Sequence, residues 1–305
     1  MKRQFAVKAK GAKVRRVKKL ASLTDHGSIP VDIHDTWDNG DRRLGEKLRE
    51  RELGMGKASI GGNSVPLVCT PLVGKTVESI LSELAAVLPK KPDVIEWRAD
   101  FFSALSDTKA IIGMADRIRA AAPDCVLIFT IRSRREGGQP ITLSDRQSIE
   151  LDAAICMGTG FDYVDCELGN RAGDIGYLRD IAHAKGVKII ASYHNFELTP
   201  SKDLLVGKIM EARDHGLDVA KVAVMPRNME DVLTLLAATL EGKKRSGLPL
   251  ITMSMGGLGA ISRMVGGAFG SSLSFAVGQN ASAPGQVPID ELRTVLGIVE
   301  RSQGT

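Results

Sequence analysis

From residue 65 to the C-terminus, short apolar runs alternate with amphipathic stretches without a break, and that rhythm leaves few architectures open. Strand-like runs open at Val65, Val94, Val126, Tyr163, Val187, Val219, Leu250 and Leu273. Their starts lie 29, 32, 37, 24, 32, 31 and 23 residues apart, close to one strand–helix unit each. Helical patterns fill the gaps over 77–88, 107–122, 144–157, 175–185, 201–215, 228–242, 258–268 and 288–300. Thr142 to Asp145 and Thr199-Pro200-Ser201 supply hydroxyl caps and one proline at helix starts. Gly186, Gly216 and Gly242 stand where three of these helices are expected to end. Eight strands, each followed by a helix, predict an α/β fold, a closed (β/α)8 TIM barrel over 58–305. An open doubly wound sheet is the alternative, although no G-x-G-x-x-G follows the first strand.

Composition narrows the function. The 305 residues are 43% hydrophobic and 25% charged, which suits a globular protein that needs no metal or disulfide to hold its core. No apolar run approaches the ~20 residues that span a bilayer, so no membrane partner is expected. Only 2 Trp, 3 Tyr and 8 Phe are present, too few for an aromatic sheet that reads bases. Cys69, Cys125, Cys156 and Cys166 form no C-x-x-C pair and read as small buried hydrophobes in a reducing compartment, the cytoplasm. His26, His34, His183, His194 and His215 lack metal-ligand spacing, so no metal is expected.

The net charge of +5 is unevenly spread: residues 1–57 hold 15 Lys and Arg against 8 Asp and Glu, and residues 58–305 hold 26 against 28. Residues 1–57 therefore read as a basic, flexible extension, with a short charged helix over 42–53 and a Gly- and Ser-containing linker over 54–64. Nine basic residues precede the first acid, Asp25. A solvated tail, a targeting segment and a weak contact with nucleic acid or another polyanion all stay open.

Parallel barrel strands are buried on both faces, so a charge inside one needs a reason, and barrel sites form at the C-terminal strand ends. The exceptions are Glu96 and Arg98 ending the second strand, Arg132 ending the third, His194 ending the fifth and Lys221 in the sixth. Lys221 lies among Val219, Ala220, Val222, Ala223 and Val224. Such surroundings are expected to strip its proton and leave a nucleophilic amine for Schiff-base chemistry. A structural ion pair with a barrel carboxylate such as Glu96 is the alternative. His194, on the neighbouring strand, can reach an imine on Lys221 as general base and acid, or can simply cap the strand. Glu96, Arg98 and Arg132 form either an ion-pair layer or a cradle for a polar carboxylate substrate. Gly137-Gly138 and Gly256-Gly257 could cradle a phosphate, though turns are the commoner reason for such pairs.

Seven motifs, in order, resemble type I 3-dehydroquinate dehydratase. They are Glu96-Trp-Arg98-Ala-Asp100, Phe129-Thr-Ile-Arg132 with Glu136-Gly-Gly138, Ser192-x-His194, Lys221-Val-Ala-Val-Met225-Pro226, Thr252-Met-Ser-Met255, Ile261-Ser-Arg263 and Ser282-Ala-Pro-Gly-Gln286. The resemblance spans about residues 65–296 and leaves out the extension. It implies dehydration of 3-dehydroquinate to 3-dehydroshikimate by syn elimination, in the shikimate pathway or in quinate breakdown, by a cofactor-free homodimer. Lys221 would form the iminium, His194 would move the proton, and Glu136 or Glu96 would orient His194. Glu96, Arg98, Arg132 and Arg263 would hold the substrate, with Arg263 as the carboxylate fork. Met253, Met255 and Phe275 would form an apolar wall, and Ser282 and Gln286 a closing lid. Asn195 stands where family members commonly carry Asp, and Gly256-Gly257-Leu258 where a more polar segment is common. A Schiff-base aldolase and an inactive, polyanion-binding barrel are the rival readings.

Overall fold

The structure is a computed structural model that describes residues 58–61, 63, 65–278 and 283–303. The expected extension over 1–57, with its charged helix, lies outside the described residues. Eight strands carry the fold: β1 (Leu67–Leu72), β2 (Val94–Arg98), β3 (Val126–Thr130), β4 (Tyr163–Glu167), β5 (Lys188–Asn195), β6 (Val219–Val224), β7 (Leu250–Ser254) and β8 (Leu273–Val277). The helices between and after them are α1 (Val77–Val87), α2 (Thr108–Ala121), α3 (Asp145–Cys156), α4 (Ala172–Ala184), α5 (Lys202–Asp214), α6 (Met229–Ser246), α7 (Gly256–Val265) and α8 (Ile289–Gln303). The parallel ladder runs β7-β6-β5-β4-β3-β2-β1-β8. Its two ends meet through one parallel bridge, Leu250 to Ser271, where the Ser272 N–H donates to the Leu250 carbonyl at 2.7 Å. The expected barrel is therefore the observed architecture. One addition is β9 (Val287–Pro288), a two-residue strand that pairs with the end of β8.

Side chains alternate along each strand, so one set faces the helices and the other the barrel axis. The outward set includes Ile95, Trp97, Leu127, Phe129, Val164, Ile189, Ala191 and Val222, packed with Leu84, Ile111, Ile118, Leu178, Leu205 and Leu235 from the helices. Trp97 anchors this layer, meeting Phe102 and Phe129 edge-on at 5.9 and 5.4 Å. Truncating such a buried ring costs about 3–5 kcal/mol. The inward set starts apolar: Cys69, Val94, Val126, Ile128, Tyr163, Ile190, Val219, Ile251 and Leu273 form one cluster. Ile60 joins it, and its N–H donates to the Tyr163 hydroxyl at 3.2 Å. Further along the same face the residues turn charged, and there the site forms.

Helix ends follow local chemistry. Ser144 and Gln147 make a reciprocal capping box before α3, and Ser201 and Asn228 cap α5 and α6. Each such cap is worth about 1 kcal/mol. Gly186 and Gly216 take φ of +72° and +70° after α4 and α5, as expected. Gly242 corrects the expectation, since α6 continues to Ser246 and ends on Gly247 at φ +71°. Gly242 is buried inside the helix because a Cβ there would run into the Ile209 side chain of α5.

Candidate active site

The inward faces of β2, β5, β6, β7 and β8, with the segments after β3, α7 and β8, enclose a cavity of about 40 Å³ at the C-terminal end of the barrel. Its lining includes Glu96, Arg98, Arg132, Glu136, His194, Lys221, Met253, Met255, Arg263, Phe275 and Gln286. Of the residues to which the resemblance gives a catalytic or substrate-binding role, only Ser282 is not among them, and it lies outside the described residues. Ala283 and Gln286, on the segment after β8, form its roof.

Lys221 does not sit in apolar surroundings. Its strand neighbours Val219 and Ala223 are apolar, but the flanking strands supply acid: Nζ lies 3.0 Å from Glu96 Oε1 and 3.0 Å from Asp165 Oδ2. The Phe275 ring lies 5.0 Å from the same nitrogen. Burial alone would lower its pKa, but Asp165 and Glu96 outweigh that and raise it. The expectation of a deprotonated amine is thus corrected: Lys221 is an ammonium held by two carboxylates.

Arg132 is equally committed. Its Nη1 donates to Ser192 Oγ at 2.8 Å, Glu167 Oε1 at 3.1 Å and Glu136 Oε2 at 3.3 Å. Its Nη2 lies 2.8 Å from Asp165 Oδ2, an ionic contact without hydrogen-bond alignment. The Ser192 hydroxyl donates to Asp165 Oδ1 at 2.5 Å. Arg98 forks Asp100 at 2.7 and 2.8 Å. Arg98 and Arg132 therefore already have carboxylate partners. Arg263 has none among the described residues: Nη1 meets the Met253 sulfur at 3.5 Å, Nη2 donates to the Pro284 carbonyl at 3.2 Å, and Nε is buried without a partner. Burial pushes its pKa down to about 10. A buried, under-satisfied guanidinium at a cavity wall is a receptor for an anion.

His194 closes β5, and its Nδ1 lies 2.8 Å from Glu136 Oε2. Glu136 reaches it from a short turn of 3-10 helix over Arg134–Glu136. Burial, then the Arg132 and Lys221 cations, holds the imidazole well below its usual range. Burial, only partly offset by Arg132, pushes the Glu136 carboxyl up to about 8. Asn195 turns away from His194: its Oδ1 accepts from the Glu197 and Leu198 amides at 3.0 Å each. The departure at this position therefore shapes a turn and does not touch the imidazole.

The glycine pairs are structural. Gly137, at φ +81°, packs under the Phe196 ring, and a Cβ on Gly138 would strike the Arg132 carbonyl. The Gly256 amide donates to the Pro284 carbonyl at 3.2 Å, so it is already occupied and offers no phosphate cradle. Gly285, at φ +79°, packs directly on the Gly256 backbone with no room for a side chain.

Sequence reasoning missed Asp165 and Glu167 as members of the site and gave no role to Thr130 and Ser192, which stand inside two of the motifs. Asp165 and Glu167 carry the same signal that exposed Glu96 and Lys221, a charge at an inward position of a buried strand. Asp152 on α3 was missed too. It is buried, its Oδ1 has no partner, and burial, then Asp165 and Glu167, raises its pKa. It lines a second void of about 270 Å³ together with Asp165 and Glu167, behind Arg132. Among the described residues no group of three or more His, Cys, Asp or Glu side chains is arranged to hold a metal.

Comparison with known proteins agrees with this geometry. Residues 68–303 match the family model of type I 3-dehydroquinase. The chain is 48% identical over 245 residues to the 3-dehydroquinate dehydratase of Albidiferax ferrireducens, covering 80% of this chain and 93% of that one. The crystal structure of the 3-dehydroquinate dehydratase from Geobacillus kaustophilus superposes with a TM-score of 0.76 at 46% identity, covering 79% of this chain and 93% of that one. That of the type I enzyme from Clostridium difficile, with covalently modified comenic acid, gives 0.77 at 38% identity, covering 81% and 96%.

Proposed function

Since the chain belongs to the type I 3-dehydroquinase family, we propose that it dehydrates 3-dehydroquinate to 3-dehydroshikimate through a Schiff base on Lys221. The reading rests most on one observation: an inward lysine on β6 and an inward histidine on β5 face one cavity, and a carboxyl group holds the histidine. The Lys221 nitrogen adds to the ring ketone and water leaves, giving an iminium that draws electrons from the adjacent C–H bond. His194, neutral because it is buried, takes that proton and returns it to the departing hydroxyl. Arg263 pairs with the substrate carboxylate and Met253, Met255 and Phe275 wall the ring. Gln286, on the segment after β8, lines the cavity and contacts the bound ring. The comenic acid bound covalently in the Clostridium difficile relative fits a nucleophile in this kind of site.

We assign the activity to the shikimate pathway or to quinate breakdown, and the working form to a homodimer. The test is borohydride reduction in the presence of 3-dehydroquinate. Lys221 should gain the mass of the reduced adduct, and Lys221→Ala should lose turnover. An adduct on any other lysine refutes the assignment.

A further inference from the structure

The void of about 270 Å³ behind Arg132 shares no lining residue with the catalytic cavity, and the reaction gives it no task. The segment after β3, the end of β4 with the turn after it, and α3 enclose it. Asp152 on α3 is 3% exposed, and its Oδ1 is buried without a hydrogen-bond partner. Asp165 and Glu167 of β4 line the same space. Glu167 accepts from Arg132 Nη1 and from the Ser133 amide through Oε1, at 3.1 and 2.7 Å, while Oε2 accepts nothing among the described residues. The Ser133 hydroxyl is a further buried oxygen without a partner. Arg132 itself is committed to Asp165, Glu167 and Glu136. Ile131, Ile141 and Ile149 supply apolar wall, and Arg134, Arg135 and Asp145 are the exposed charged members of the lining.

A buried carboxyl group that the chain leaves without a partner, beside two carboxylates, is a receptor for a cation. Among the described residues no three acidic, histidine or cysteine side chains are arranged to hold a metal ion. A primary ammonium fits better: it carries three N–H donors for Asp152, Glu167 Oε2 and the Ser133 oxygen, and the isoleucines suit an alkyl stem. We propose that this void is a second binding site, which takes a small primary ammonium compound with an apolar stem. Its head rests on Asp152 and Glu167 and its stem on Ile131, Ile141 and Ile149. The site does not depend on the Schiff-base reading. Alone, Asp152 holds a proton, because burial, then Asp165 and Glu167, raise its pKa against the pull of Arg132. Cys156 and Cys166, the other titratable neighbours, stay neutral because burial raises both. The arriving ammonium replaces the Asp152 proton, which passes to solvent. Arg134 and Arg135 disfavour a second positive charge at the far end of the stem.

The test is calorimetric titration of the full chain with n-butylamine between pH 5 and 8, where the amine stays an ammonium. It should bind at one site, with an affinity that climbs by up to about tenfold per pH unit as Asp152 gives up its proton. Ammonium chloride should bind at least about tenfold more weakly, since it buries no stem. Sodium butyrate should not bind, and 1,4-diaminobutane should bind more weakly than butylamine. Asp152→Asn, which keeps the shape of the neutral acid, should weaken butylamine binding by about 10–100-fold. Arg263→Ala, at the catalytic cavity, should leave it unchanged. Absence of binding to the wild type overturns the site and leaves a void that holds water. Equal affinity in Asp152→Asn, or tighter binding of butyrate than of butylamine, overturns it as well. Equal binding of ammonium chloride removes the apolar stem from the assignment and overturns the ligand class. If Asp152→Asn does not fold, a wild-type affinity that is flat from pH 5 to 8 overturns the role of Asp152 and the site with it.

Discussion

At the scale of single residues, the His194–Glu136 pair sets the pH dependence. Below about pH 8 the Glu136 carboxyl keeps its proton and donates it to Nδ1. The ring hydrogen then sits on Nε2, the nitrogen Glu136 does not hold, and that nitrogen cannot act as a base. Losing the proton lets Nδ1–H donate to the carboxylate and frees Nε2. The value of kcat/KM should therefore rise with pH through about 8 and level off above it, and in Glu136→Gln that inflection should vanish. A wild-type profile flat from pH 6 to 9 contradicts the pairing. Arg263 invites a second measurement. Because it carries no carboxylate of its own, Arg263→Ala should raise KM by at least about 30-fold, the lower end of what a buried charged partner is worth. An unchanged KM would move the carboxylate to another cation. Glu96, Arg98, Arg132, His194 and Lys221 were visible in the sequence as charges in strands. The protonation of Lys221 was not, because Asp165, which raises its pKa most, comes from another strand 56 residues away.

At the scale of elements, strand positions were legible because buried parallel strands admit little but apolar residues. Helix ends were legible where a local cap exists. They were missed where the cause is tertiary: Gly242 serves the contact with Ile209, and Gly247, with its positive φ, ends the helix. The segment after β8 shows the same dependence. Gly285 and Gly256 touch backbone to backbone, and Arg263 and the Gly256 amide both hold the Pro284 carbonyl. Gly285→Ala should displace this roof and lower kcat/KM by about 10–100-fold, with little change in Tm because the barrel core is untouched. A variant with full activity would show that the roof tolerates the shift.

At the scale of the whole molecule, the upper barrel gathers the buried cations Arg98, Arg132, Lys221 and Arg263 with five buried carboxyl groups, Glu96, Asp100, Glu136, Asp165 and Glu167. Removing one partner leaves an uncompensated buried charge, which costs about 3–5 kcal/mol. Asp152 stands outside this balance, and its cost depends on pH. Its folded-state pKa is raised, so the folded protein holds a proton that the unfolded chain releases above about pH 4. Stability from this group is complete below that point and declines by about 1.4 kcal/mol per pH unit until the folded pKa is reached. Asp152→Asn should accordingly gain Tm over the wild type as the pH is raised from 5 to 8. Parallel melting curves across that range would count against a buried, neutral Asp152.

The single bridge between Leu250 and Ser271 has a mechanical meaning. Every other junction in the cask is riveted along several residues, whereas this seam holds by one bridge and by the Thr252 amide, which donates to the Ser271 hydroxyl at 3.1 Å. The joint lies at the N-terminal strand ends, at the far end of the barrel from the site, so the closure there can loosen without moving the groups that do the chemistry.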